Sequence, residues 1–277
     1  MIDEITNAAW QAARVIQAGA EDRGALTWES KGTSDFVSEV DRNAEHAIAD
    51  WLLELYPEAA IIGEELSPDE VSLEGLTFIV DPIDGTTNYL HGYPEYAVSI
   101  GAYDNGEPLA ALILNVASRD LFTATRNGGA TLNGEPIRVS SISDPTRALV
   151  GTGFPFKHLE YIDRYMSQFE AVMRGTAGVR RAGSAALDLA TVAAGQFDAF
   201  WELGLSPWDV AAGILIIQEA GGIVTDLEGN PAKPVHGPFV AGNPAIHEWL
   251  LDAIHNSDKR VDLSQSDGQR KNPKTQA

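Results

Sequence analysis

The sequence predicts an α/β protein of mixed α+β type with mixed sheets, and three observations carry that prediction. Twice an acid follows directly on a short apolar run. Gly63-Glu64-Glu65 comes after Ala59-Ala60-Ile61-Ile62, and Asp81 after Leu76-Thr77-Phe78-Ile79-Val80. Open α/β sheets carry their sites at such carboxyl ends of strands. Asn127-Gly128-Gly129 and Asn133-Gly134 are hairpin signals, so the apolar stretches within residues 96–140 read as antiparallel strands completing a mixed sheet. Apolar residues recur at helical spacing near both ends of the chain.

In order, Ile2, Ile5, Ala9, Ala12 and Ile16 make a first amphipathic helix ending near Gly19. Residues 20–34 are polar and turn-rich, with Lys31 among Gly32, Thr33 and Ser34 in a segment that either covers a site or is simply solvated. Ser38 and Asp41 form a capping-box pattern opening a helix that places Val40, Ala44, Ile48, Trp51, Leu52 and Leu55 on one face and stops at Pro57. A second unit begins near residue 146 with a strand over 149–153, a helix over 159–174 and a small-residue helix ending at Gly195. A strand over 197–201 is followed by another acid, Glu202. Asp209 falls in the first turn of an apolar helix after Pro207, where the helix dipole alone justifies an acid. Strands near 222–225 and 238–242 and a helix over 244–255 complete the pattern. The divisions expected are 1–145, 146–255 and a disordered polar tail over 256–277.

The chain has 277 residues, 44% hydrophobic and 21% charged, which suits one large soluble domain or two packed closely. Lys and Arg total 19 against 40 Asp and Glu, a formal charge of −21. No large basic surface is available to neutralise phosphates, so direct nucleic-acid binding is not expected. Absence of cysteine excludes disulfides, thiolate metal sites and cysteine nucleophiles. No apolar run approaches the ~20 residues of a membrane span, and the acidic N-terminus is unlike a signal peptide. A cytoplasmic location is the expectation.

The chemistry concentrates in Asp81-Pro82-Ile83-Asp84-Gly85-Thr86-Thr87-Asn88. Pro82 stiffens the segment and Gly85 frees the next step, giving a rigid corner with two carboxylates three residues apart. Rigid hard-oxygen donors suit Mg²⁺, and N–H groups at Gly85 to Thr87 suit a phosphate. A capped turn whose aspartates satisfy backbone donors explains an isolated D-x-x-D equally well.

Gly63-Glu64-Glu65, the 81–88 segment and Trp208-Asp209-Val210-Ala211-Ala212-Gly213, in this order and spacing, resemble the inositol monophosphatase family of Mg²⁺-dependent, lithium-sensitive phosphatases. The similarity spans roughly residues 3–255 and includes 151–156 and 181–195. It implies the sugar-phosphatase fold, layered α-β-α-β-α, usually as a homodimer. By position it implies that Glu64, Asp81 and the Ile83 carbonyl hold one metal, and that Asp81, Asp84 and Asp209 hold a second. Asp41 and Lys31 match positions that assist a weaker third metal and the active-site loop. Thr86 with Glu64 matches the pair that orients the attacking water. Gly183, Ser184, Ala185 and Glu202, with Gly85, Thr86, Thr87 and Asp209, match substrate contacts.

The implied reaction is hydrolysis of inositol 1-phosphate or a related small phosphate, such as histidinol phosphate, a sugar phosphate or a nucleotide 3′-phosphate. Two ions sharing Asp81 suit direct attack by water on a doubly charged monoester. The lack of Cys, and of His near these acids, argues against a phospho-enzyme formed on those nucleophiles. Animal members carry His where this chain has Ser206, which bears on substrate stereochemistry. A regulatory protein that binds the transcription machinery is the alternative, since some bacterial relatives do so.

Overall fold

The small and aliphatic residues at helical spacing fold as α1 (Ile2–Glu21), whose stripe Ile5, Ala8, Ala9, Ala12, Ala13 and Ile16 is buried. The computed structural model describes residues 1–21, 29–32, 35–66 and 72–270, with side chains described outside 22–37 and 260–270. The expected loop contains a hairpin, β1 (Glu29–Gly32) with β2 (Asp35–Val37). Lys31 lies in β1, and its side chain falls outside the described residues. α2 (Glu39–Leu55) opens on the predicted capping box: Asp41 Oδ2 accepts from Ser38 N at 2.9 Å, and Ser38 Oγ accepts from Val40 N at 3.2 Å. Leu55, expected on the apolar face, is 46% exposed because it lies in the last turn, beyond the packed length of the helix.

Seven strands form the first sheet in sequence order: β3 (Ala60–Gly63), β4 (Leu76–Asp84), β5 (Ala97–Asp104), β6 (Glu107–Asn115), β7 (Leu121–Thr125), β8 (Gly129–Leu132) and β9 (Glu135–Pro136). β3 and β4 are parallel and the remaining pairs antiparallel. The short α3 (Thr86–His91) leaves the end of β4. The second sheet contains β10 (Leu149–Thr152), β11 (Gly178–Arg180), β12 (Ala199–Leu205), β13 (Ile223–Thr225) and β14 (Gly237–Gly242), in the order β11-β10-β12-β14-β13. Its helices are α4 (Ile162–Gly175), α5 (Ala185–Ala193), α6 (Pro207–Glu219) and α7 (Pro244–Arg270).

Period-two alternation sorts these elements into layers. Phe78, Val80, Val98, Ile100, Leu112 and Leu114 meet α1 and α2 on the outer face of the first sheet. Their neighbours Ile79, Tyr103, Ala111 and Ile113 point the other way, onto α5 and α6. Those two helices also cover Phe200, Phe239 and Ala241 of the second sheet, whose opposite face, with Val150, Trp201 and Val240, packs on α4 and α7. The result is the α-β-α-β-α sandwich, with the core continuous across the proposed division near residue 146.

Two expectations are corrected. The strand expected to stop at Val80 continues to Asp84 through an irregularity: Asp81 pairs with Ser99 but Asp84 with Ala97, one extra residue on β4. Proline is tolerated at such a bulge, where its missing N–H breaks no ladder bond. The tail expected to be disordered from residue 256 continues α7 to Arg270. Polarity was misleading because polar groups anchor it: Asp258 accepts from Arg164 at 2.7 Å and from Gln168 at 3.0 Å.

Candidate active site

The bulge in β4 builds the site. In a regular strand, residues three apart point to opposite faces. The extra residue reverses the alternation between Asp81 and Asp84, so both carboxylates join Ile79 on the face toward α6. α6 lies close against the sheet there because Gly101 on β5 has no side chain. A Cβ at Gly101 would stand 2.9 Å from the Ala211 Cβ. The first turn of α6 then delivers Asp209, and ligand oxygens of Asp81, Asp84 and Asp209 come within 4.8 Å of one another.

Each aspartate is anchored through one oxygen. Asp81 Oδ1 accepts from Ile83 N at 3.0 Å, and Asp209 Oδ2 from Ser206 N at 2.6 Å. Asp84 Oδ2 accepts from Ser184 Oγ at 2.5 Å and Ala186 N at 2.7 Å. The second oxygens of Asp81 and Asp209 have no protein donor among the described residues, whereas Asp84 also draws on the Ala185 N–H. Burial and mutual repulsion push the group upward: Asp81 is held well above the usual carboxylate range by burial, then by Glu64, Asp84 and Asp209. Asp209 is pushed up to about 8, by burial and then by Asp84. Asp84 rises less, because Ser184 and Ala186 offset its burial.

Two buried carboxylates and the half-buried Asp209, with no ion-pair partner among the described residues, fit a hard divalent cation. The converging group offers only oxygen donors, and His158 lines the same cavity without belonging to that group. Asp41 plays a different part. It is fully buried beneath the site and absent from the cavity wall, its Oδ2 taken by Ser38 and its Oδ1 lying 3.0 Å from Thr86 Oγ1. That hydroxyl also lies 3.1 Å from the Ile83 carbonyl, giving two acceptors for one proton.

The cluster floors a cavity of about 340 Å³. Of the residues singled out from sequence, Glu64, Asp81, Ile83, Asp84, Gly85, Thr86, Thr87, Gly183, Ser184, Ala185, Glu202 and Asp209 all line it. Gly85, at φ 94°, turns the chain into α3, a conformation that favours glycine. Glu202 reaches the cavity from β12 because it shares the inward face with Phe200. Its carboxyl is raised to about 8, by burial first and then by Asp209.

Sequence reasoning missed four contributors. Lys157 lines the mouth, 4.0 Å from Glu64 Oε1. Arg181 sits over the rings of Phe154 and Phe156, 5.4 and 5.1 Å from their centroids. Asp188 is buried in the wall. Glu45, fully buried on α2, accepts from Glu65 N at 2.8 Å and Leu66 N at 3.0 Å, pinning the turn that carries Glu64. Two signals were legible. Lys157 follows the end of β10, and Asp188 is a lone charge in an apolar helix.

This five-layered fold, with a cluster of three aspartates at the floor of a cavity between its sheets, is that of an α/β protein with a candidate metal site. The chain belongs to the inositol monophosphatase family, whose model matches residues 1–259. It is 44% identical over 258 residues to the Nus factor SuhB of Pseudomonas aeruginosa, covering 92% of this chain and 95% of that protein. The native crystal structure of the extragenic suppressor protein SuhB from Bartonella henselae superposes with a TM-score of 0.85 at 40% identity, covering 91% and 97% of the two chains. The inositol monophosphatase from Anabaena (Nostoc) sp. PCC 7120 superposes with a TM-score of 0.82 at 36% identity, covering 92% and 95%. Among the described residues no helix is long and apolar enough to cross a membrane.

Proposed function

We propose that this protein is a Mg²⁺-dependent phosphomonoesterase that hydrolyses inositol 1-phosphate to inositol and phosphate. The observation that carries the reading is the convergence of Asp81 and Asp84, both buried, with the half-buried Asp209 within 4.8 Å at the floor of a cavity whose lining includes Lys157 and Arg181. Family membership supports it. Glu64, Asp81 and the Ile83 carbonyl would hold one ion, and Asp81, Asp84 and Asp209 another, while Asp41, its oxygens engaged with Ser38 and Thr86, would act through Thr86 rather than as a direct ligand. Bound there, such ions supply charge neutralisation for the phosphate and acidify water at the site.

The chain's own groups do the rest. Ser184, Ala186, Ile83 and Ser206 fix the orientation of the three aspartates, which keeps their ligand oxygens converged. Thr86, its proton directed at Asp41 or Ile83, keeps lone pairs facing the cavity and with Glu64 orients the water for in-line attack. N–H groups at Gly85 to Thr87 face the phosphate oxygens, since the first turn of a helix leaves them without intrahelical acceptors. Glu202 accepts hydroxyl hydrogen bonds from the leaving polyol. The working form is a cytoplasmic homodimer.

A panel of phosphomonoesters assayed with Mg²⁺, with and without lithium, tests this reading. Expected is phosphate release highest for inositol 1-phosphate and suppressed by lithium. Preference for histidinol phosphate, a sugar phosphate or a nucleotide 3′-phosphate moves the assignment within the class. The name Nus factor SuhB borne by a relative at 44% identity favours a second reading, a regulatory protein that binds the transcription machinery. Failure to hydrolyse any monoester leaves that reading standing.

A further inference from the structure

A second pair of carboxylates lies in the cavity wall, beside the aspartate cluster and outside its group of converging oxygens. Asp188 is the one charged residue in α5, otherwise Ala, Leu, Thr and Val. It is 3% exposed and lines the cavity. Four residues after Ser184, it occupies the same helix face, one pitch of about 5.4 Å beyond the hydroxyl that holds Asp84. Its N–H is used within the helix, bonded to the Ser184 carbonyl. Among the described residues no donor reaches its carboxylate, although buried polar groups are rarely left so.

Glu202 faces the same cavity and likewise has no protein donor among the described residues. After burial, Glu202 is the strongest influence raising Asp188 above the usual carboxylate range. Arg181 attracts both but is itself exposed, over Phe154 and Phe156. A cation does not suit the position, because Asp188 lies outside the group of converging ligand oxygens. Neutral donors do: hydroxyls satisfy a carboxyl oxygen without a coordination shell.

We propose that Asp188 and Glu202 together clamp hydroxyls of a ring-polyol leaving group, with Asp188 the binding residue not otherwise assigned. The proposal rests on the phosphomonoesterase reading above and narrows it. The preferred substrate is a cyclic polyol monophosphate carrying free hydroxyls on the side of the ring remote from the phosphate. Phosphates of rings without hydroxyls gain nothing from the clamp.

The test compares inositol 1-phosphate with cyclohexyl phosphate, the same ring without hydroxyls, on the full chain with Mg²⁺. Asp188→Ala is expected to lower the ratio of the two kcat/KM values about tenfold, the scale of one lost hydrogen bond. The loss should lie in KM for inositol 1-phosphate. Asp188→Asn, which keeps the shape and one acceptor oxygen, recovers part of it and serves alone if the alanine variant does not fold. A ratio within twofold of wild type in both variants overturns the clamp, as does a wild type that does not prefer inositol 1-phosphate. A wild type that hydrolyses neither ester overturns the phosphomonoesterase reading itself.

Discussion

Asp84 carries two duties, one oxygen bonded to Ser184 and Ala186 and a charge available to a cation. Asp84→Asn keeps an acceptor for the first and removes the charge needed for the second. Turnover should fall about a thousandfold, several kcal/mol of lost charge stabilisation, while the circular dichroism spectrum holds and the melting temperature without Mg²⁺ does not fall. Activity within a few-fold of wild type removes Asp84 from the site. Glu45 acts one step further back, through the backbone of Glu65 and Leu66. Glu45→Ala strands two N–H groups at about 1–3 kcal/mol each, loosening the turn that carries Glu64. The concentration of Mg²⁺ giving half-maximal rate should rise, and Glu45→Gln should recover most of it. A loss of stability with an unchanged Mg²⁺ dependence assigns Glu45 to the fold alone.

At the scale of elements, the site depends on how closely α6 lies against β5. Gly101→Val drives a branched side chain into Ala211 and Tyr103, an overpacking worth typically 1–3 kcal/mol. Because the same movement parts Asp209 from Asp81, thermal stabilisation by Mg²⁺ should shrink along with the base stability. Stabilisation by Mg²⁺ equal to that of wild type shows that the packing does not set the site. The acids at strand ends were legible because period-two alternation and the carboxyl-end rule act locally. The joint facing of Asp81 and Asp84 was not, since it comes from a bulge fixed by pairing with Ser99 and Ala97. Glu45 escaped for a related reason: it looks like an ordinary helix acid until tertiary contacts bury it. The polar end of α7 read as disorder because composition carries no trace of Arg164 and Gln168 waiting to bond Asp258.

For the whole molecule, the acidic cavity sets how stability varies with pH. Glu202 and Asp209 rise from ordinary carboxylate values to about 8 when folded. A carboxyl with a raised folded pKa binds its proton more tightly in the native state, so its stabilising contribution is full in acid and is lost as pH climbs. Metal-free protein should therefore lose melting temperature steadily from about pH 4.5 to about pH 8, and Mg²⁺ should flatten that decline. A metal-free profile that rises across this window contradicts the crowded-carboxylate account. The most direct measurement is the melting temperature in Mg²⁺ against NaCl of equal ionic strength, since NaCl alone screens the −21 net charge. Binding only the folded cluster, Mg²⁺ at 100 times its Kd should add about 2.7 kcal/mol, well beyond the NaCl control. Asp81→Asn, at the centre of the cluster, should lose most of that excess. Equal shifts in both salts, or a variant that responds as wild type does, would show that Asp81, Asp84 and Asp209 do not form a metal site.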